Sequence, residues 1–390
     1  MDDPVFTARL QFALTAGTHF LFVALTLGLV TLVALMQTRA TLSRSERHAR
    51  MVRFWGKLYV INYAVGIVTG LVMEFQFGTN WSGLLEMTGE VFGVPLAMET
   101  IGAFFIESTF LGLWIFGWDR FSRWAHLALI WVVALTAYAS AFFILVTNGW
   151  MRNPVGYVME DGHARLADFG AILANPTALL AFGHVVSAAF LTAGLFMAAV
   201  SAHHLWRGSA EREFFRRSLR TGMLTVVLAV FPTAAFGGVQ FGFRPENERS
   251  EGLTALAQTA EGLMMVSWVV MSWLACAFLV KFVFRPRRFG RVFLAATMAA
   301  LPLPYLAMIS GWVYREVSRQ PWAVQGLLRT EDALSPLSPG AARFSFVAFV
   351  SLFAVLASVN FWLLFRHARR GPEDEAAKAP EAMPVPVPTF

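Results

Sequence analysis

Nine apolar runs alternate with polar connections along the chain: residues 11–36, 54–73, 95–118, 126–147, 179–202, 220–240, 262–284, 291–311 and 344–365. Each is long enough to cross a bilayer as a helix, which takes roughly 20 apolar residues. The fold class this predicts is all-α: a polytopic membrane protein of nine transmembrane helices. The first run follows MDDPVFTARL, which lacks a basic leader, and it is a full-length span rather than a signal-peptide core. After the last run the chain turns to GPEDEAAKAPEAMPVPVPTF, a Pro/Ala/acidic segment predicted to be disordered. The expected organisation is one transmembrane domain over 1–370 and a tail over 371–390. No internal repeat is visible.

Composition agrees with the pattern, at 57% hydrophobic and 14% charged residues. Charge adds orientation. The segments 37–57, 119–125, 203–220, 281–291 and 366–390 carry 22 of the 31 lysines and arginines. By the positive-inside rule these are cytoplasmic, so the N-terminus is outside and the C-terminus inside. The connections 74–94, 148–178, 241–261 and 312–343 are then the outer loops. The net charge of +6 follows from this asymmetry and calls for no nucleic-acid partner. A single cysteine, Cys276, excludes an internal disulfide framework, iron–sulfur ligation and covalent haem attachment, and its mid-span position predicts a packing residue.

The informative residues are the polar ones inside the apolar runs. Glu99 and Glu107 lie on the third run, and a carboxylate at membrane depth costs roughly 2.5–3.5 kcal/mol, so it must face protein, water or a cofactor. Eight residues apart on an α-helix, they are turned about 80° from each other and share a broad face. Of eight histidines only His19 and His184 sit within spans, both in the outer third. Glu316 closes the eighth span on the outside, and Met264 and Met265 open the seventh there. His19, Glu99, His184, Glu316 and one of the methionines thus reach one depth in one leaflet from five helices. A lone histidine on an apolar helix is more often a hydrogen-bonded core residue than a ligand. Convergence of imidazole, carboxylate and thioether at one level instead suits haem iron. Arg9, Arg315 and Arg319 lie at the same level, as propionate partners or as interfacial arginines. Glu107 lies about two turns deeper than Glu99. With Ser140 and Asn148 on the fourth span it suits a proton relay, although hydroxyl and amide also serve plain interhelical bonding.

These residues carry a resemblance. QFALTAGTHFLFVALTLG (11–28), GIVTGLVMEFQFGTNWS (66–82), VFGVPLAMETIGAFFIESTFLGLWIFGWDR (91–120) and GWVYREVSRQPWAVQGLLRT (311–330) are similar to stretches of subunit I of cytochrome bd-type oxidases. The resemblance implies nine helices, three haems near the outer face and four-electron reduction of O2 to water. It implies that His19 is an axial ligand in the high-spin haem pair and that Glu316 is the ligand of the high-spin haem b. Glu99 is implied at the oxygen-reactive haem, which is a haem d or a third haem b. Glu107 becomes the proton-delivering acid. His184 is implied as a ligand of the low-spin haem b, with Met264 the matching methionine. Ser140 and Asn148 match positions near a proton route from the cytoplasm. Arg9, Arg319 and Trp322 match haem-binding positions, and a homologous second membrane subunit with small accessory subunits is implied as company.

The sequence departs from that pattern in two places. The long outer loop that binds quinol in the family is replaced by RPENERSEGLTALAQTAEG (244–262), with Glu261 in place but Leu256 where a lysine is usual. The arginine that precedes the methionine ligand is missing from EGLMMVSW. The expected function is a terminal oxygen reductase subunit of a bacterial inner membrane, with electrons from quinol or from a periplasmic carrier. The alternatives are a haem electron-transfer or sensor protein without oxygen turnover, and a transporter using intramembrane carboxylates. Two histidines within spans are too few for a haem–copper oxidase.

Overall fold

The computed structural model describes residues 3–243, 254–284 and 289–372. Among these, nine helical stretches are long and apolar enough to cross a membrane, in the order the sequence predicts. They are α1 (Pro4–Ser43), α2 (Glu46–Asn80), α3 (Ser82–Ala97) continued through a π-helical segment Met98–Phe104 into α4 (Phe105–Phe116), and α5 (Arg123–Arg152). Then come α6 (Phe169–Leu173) leading into α7 (Pro176–Trp206), α8 (Arg212–Gln240), α9 (Ala255–Phe284), α10 (Arg291–Ala299) with α11 (Leu303–Ser318), and α12 (Pro339–Arg370). Local chemistry sets the starts. The side chains of Asp3, Ser45, Ser122, Asn175 and Ser338 each accept a backbone N–H of the first turn, and Pro4, Pro176 and Pro339 occupy the position where a missing N–H costs nothing.

The helices run further than the apolar runs. Segment 74–94, expected as an outer loop, is helical except at Trp81, where α2 ends and α3 begins. No proline or strong turn sequence stands there to stop a helix before Trp81, and the polar residues merely mark the emergence from the apolar zone. The eighth span is two helices rather than one, because Pro302 and Pro304 withhold N–H donors at its middle. The connections 148–178 and 312–343 hold two small antiparallel ribbons. In the first, β1 (Tyr157–Glu160) pairs with β2 (His163–Leu166). In the second, β3 (Trp322–Val324) pairs with β4 (Leu328–Arg329). The quinol-loop counterpart over 244–253 and the predicted tail from 373 on lie outside the described residues.

Two helices form the middle of the bundle. The apolar windows of α1 and α7 are 67% and 72% buried, against 17–33% for the others. Both carry small residues where backbones touch: a Cβ added at Gly28 of α1 would lie 2.2 Å from the Ala189 carbonyl oxygen of α7. In lipid, where apolar contact alone does not drive helices together, such close approach is what packing rewards. Cys276 is exposed on α9 rather than packed.

A polar stripe at helical spacing joins α1 to α2. Gln11 and Thr15 bond to Gln76 at 3.2 Å each, His19 to Thr69, and the Phe22 carbonyl and Thr26 hydroxyl to the amide of Asn62 at 2.8 and 2.9 Å. Asn360 of α12 donates to Asn62 at 3.1 Å and draws the last helix onto the same seam. Unpaired, these groups would each cost of the order of 1–3 kcal/mol.

Candidate functional site

His19 is half-buried on that stripe. Its Nδ1 lies 2.9 Å from Thr69 Oγ1. The Thr69 hydroxyl proton is directed to the carbonyls of Val65 and Gly66, so its oxygen accepts from Nδ1–H. Nε2 then keeps a lone pair. Gly70 makes room for the ring, since a Cβ there would stand 3.3 Å from His19 Cε1.

His184 on α7 is built the same way with different parts. Its Nδ1 lies 2.9 Å from the Thr233 carbonyl of α8. A carbonyl only accepts, so this nitrogen carries the proton and Nε2 is again free to donate a lone pair. One turn further along α8, a Cβ at Gly237 would lie 3.0 Å from His184 Cε1. A second partner fixing the tautomer and ring direction is the usual support of a metal-binding histidine.

Met264 lies on α9, which Trp268 pins to α8 by donating to the Val230 carbonyl at 2.8 Å. The Met264 sulfur packs on Gly311 of α11, where a Cβ would come within 2.9 Å. Met265 is 43% exposed. On the same α11, Arg315 donates to Asn148 of α5 at 2.7 Å and to Gln240 of α8 at 3.2 Å and lies within electrostatic reach of His184. Asn148 thus serves Arg315 and is not hydrogen-bonded to Glu107.

Glu316 and Arg319 form an ion pair with little solvent exposure. The pair uses Glu316 Oε2, and Oε1 is buried without a hydrogen-bond partner among the described residues. Arg9 of α1 adds its charge beside them. Trp312, one turn before Glu316, packs edge-on against Phe20 at 4.9 Å and so ties this helix to α1 next to His19. Trp322 stands apart on β3, half-buried, with the Arg329 guanidinium 5.8 Å from its ring centre.

Glu99 sits on the π-helical segment, half-buried. The 80° offset expected for a regular α-helix does not hold across it. Ser140 Oγ donates to Glu99 Oε1 at 2.6 Å. Thr100 Oγ1 lies 3.0 Å from Glu99 Oε2 and 3.1 Å from Glu74 Oε1, bridging two carboxylates. Ser140 therefore serves Glu99. Glu107 is deeper and 5% exposed, and it faces Tyr63.

Sequence reasoning missed the supporting residues. Glu74 was in plain view as an acid in the apolar stretch LVMEF, but an outer loop was expected from that residue on. Thr69, Thr233 and the glycines at 70, 237 and 311 have no signal without a map of contacts. Among the described residues no three His, Cys, Asp or Glu side chains converge as a bare-ion site. Two single imidazoles, each held through Nδ1 by a second partner with a glycine against the ring, and a carboxylate oxygen left open on Glu316 instead fit donors to the iron of a haem.

The chain is similar to known proteins along nearly its whole length. The family model for cytochrome bd terminal oxidase subunit I matches residues 7–242 and 247–372. The Bacillus subtilis cytochrome bd ubiquinol oxidase subunit 1 is 34% identical over 94% of each chain. The Escherichia coli cytochrome bd-II ubiquinol oxidase subunit 1 is 30% identical over 97% of this chain and 99% of its own. The bd oxidase structure from Geobacillus thermodenitrificans superposes with a TM-score of 0.85 at 25% identity, covering 95% of this chain and 100% of the other. The fold and these matches define a membrane oxidoreductase of the respiratory chain. The chain belongs to the cytochrome bd terminal oxidase subunit I family, whose members are multi-pass proteins of bacterial respiratory membranes.

Proposed function

We propose that this chain is the haem-bearing subunit of an oxygen reductase that reduces O2 to water. His184 Nε2 and Met264 Sδ hold a low-spin haem b. His19 Nε2 and Glu316 Oε1 serve the high-spin pair, with Glu99 at the oxygen-reactive macrocycle, a haem d or a third haem b. Bound, the haems supply redox-active iron that accepts and passes on single electrons and, at one of them, the place where O2 is reduced. Arg9 and Arg319 offer charge to propionates, and Trp322 contributes from the β3–β4 ribbon at greater remove. Glu107 holds a proton for the oxygen chemistry, and Ser140 orients Glu99 to receive it. Asn148 acts through Arg315. Protons come from the cytoplasmic side and the chain lies in the inner membrane with its N-terminus outside, as its positive charge distribution supports.

The observation that carries this reading is the matched pair His19 and His184. Each has Nδ1 occupied and Nε2 left with a lone pair. An optical spectrum of the reduced protein with pyridine haemochrome analysis tests it. Low-spin and high-spin signals together with oxygen consumption on an artificial reductant are expected. A haem-free protein overturns the reading, and haem without oxygen uptake reduces it to electron transfer or sensing.

The electron donor is quinol or a periplasmic carrier that docks near the 241–261 and 312–343 connections. The relatives are named as ubiquinol oxidases. The alignment with the Escherichia coli relative spans 512 positions against 390 residues here, so that relative carries long segments this chain lacks. The family's quinol loop falls where this chain has its short 244–262 connection. Rapid quinol oxidation blocked by quinone-site inhibitors assigns quinol as the donor and removes the carrier; oxygen uptake on an artificial reductant without quinol oxidation assigns the carrier. The relatives are numbered as subunit 1, which supports a homologous second subunit, with small accessory subunits, as partner here.

A further inference from the structure

Two buried phenols stand beside Glu107. Tyr59 is fully buried and Tyr63 is 7% exposed. Four residues apart on α2, they lie on one helix face with ring centres 5.7 Å apart. Both are within electrostatic reach of the Glu107 carboxyl, and Tyr63 also faces the hydroxyl of Ser108. The Tyr63 hydroxyl interacts with the Glu107 carboxyl and the Ser108 hydroxyl, whereas the Tyr59 phenol oxygen has no hydrogen-bond partner among the described residues. Leaving a buried hydroxyl unsatisfied costs roughly 1–3 kcal/mol, and phenylalanine would fill the same space without that cost. Orphaned polar atoms inside proteins are normally satisfied by ordered water, which needs about 2–4 polar partners. The Tyr59 and Tyr63 hydroxyls, Glu107 and Ser108 supply such a set.

We propose that the hydroxyls of Tyr59 and Tyr63 relay protons to Glu107. Tyr59 lies one turn, about 6 Å, closer to the Arg- and Lys-rich start of α2 than Tyr63 does. The pair therefore forms a polar line leading from that end toward the carboxyl through an otherwise apolar cluster. Each phenol oxygen takes up a proton from the side of the basic helix end and passes its own O–H proton onward. Tyrosine is returned neutral, and the Glu107 carboxylate ends protonated. Tyr63 hands on directly to the carboxyl it faces, and Tyr59 stands behind it at a ring spacing of 5.7 Å. The proposal rests on the reading of Glu107 as the proton-delivering acid.

The test uses the purified complex with Tyr59→Phe, Tyr63→Phe, the double variant and Glu107→Gln. Proton uptake from a pH indicator is followed after the reduced protein meets O2, in H2O and D2O. The infrared C=O band lost in Glu107→Gln gives a second readout in the resting protein. In the double variant, uptake should slow about tenfold or more with a changed solvent isotope effect and unchanged haem spectra. The Glu107 band should shift in Tyr63→Phe. Combining the double variant with Glu107→Gln should add little, because the groups act in series. Native-like uptake in the double variant beside a slow Glu107→Gln overturns the relay and leaves Glu107 standing. Native-like uptake in both removes the relay and the reading of Glu107 together. Loss of haem spectra in both single variants assigns the tyrosines a structural role and also overturns the relay.

Discussion

The Nδ1 of His184 lies 2.9 Å from the backbone carbonyl of Thr233. Because the acceptor is backbone, no substitution at 233 removes it, and the neighbouring Gly237 becomes the sensitive position. A Cβ there would stand 3.0 Å from Cε1 and 3.1 Å from Nδ1 of a ring that has little freedom to retreat. Gly237→Ala should lower the low-spin haem content, read from reduced-minus-oxidised spectra. Gly238→Ala adds a methyl where nothing lies within 4 Å and should leave the spectrum unchanged.

His19 depends on a side chain instead. Thr69→Val keeps the shape of the threonine but removes the oxygen that accepts from Nδ1. Loss of such a supporting partner typically weakens metal binding by about 10–100-fold. The high-spin haem content of Thr69→Val should fall accordingly, measured by haem extraction and by ligand-binding spectra. Thr69→Ser retains the oxygen and should behave like the native protein.

Met264 and Met265 differ in what they face, and so should their variants. Met264→Leu preserves volume and removes the sulfur beside Gly311, so the low-spin haem should become five-coordinate or be lost. Met265→Leu changes a side chain that is 43% exposed and should be silent. Absorption in the α-band and carbon monoxide binding distinguish the two outcomes. Equal effects from both variants would refute the assignment.

The α1–α7 contact should be the least tolerant part of the bundle. Gly28→Ala places a methyl 2.2 Å from a backbone oxygen that cannot move without shifting α7. Overpacking of this kind costs about 1–3 kcal/mol or more, so the melting temperature and the yield of folded protein should both fall. Gly112→Ala, on the open side of α4, should cost nothing measurable, since no atom lies within 4 Å of the new methyl.

The nine spans were legible because apolar length is a property of one segment at a time. So were His19, His184, Glu99, Glu107 and Glu316, since each is a polar residue in a place where polarity is expensive. The choice between Met264 and Met265 was not legible, because it depends on the rotation of α9 about its axis, which packing sets. The partners of Ser140 and Asn148 were hidden for the same reason. Both were expected beside Glu107, yet Ser140 reaches Glu99 and Asn148 reaches Arg315. Segment 74–94 was expected as loop because polarity stood in for a turn, while the backbone had no residue able to end the helix before Trp81. The break at Ala300–Pro302 follows from Pro302 and Pro304, and the apolar run that continues through them conceals it in the hydropathy pattern.

The π-helical turns at Met98–Phe104 hold one residue more than ordinary α turns would need to cover the same arc. Deleting one residue, Gly102 for instance, would let the segment relax to α turns, whose tighter winding takes up the loss. Glu107 would then keep nearly the same face toward Tyr63, while the wide turn that carries Glu99 and Thr100 would be lost. Disturbance at Glu99 with Glu107 left in place is the signature a single-residue deletion here should leave. The extra residue thus shapes the surroundings of one acid without redirecting the other.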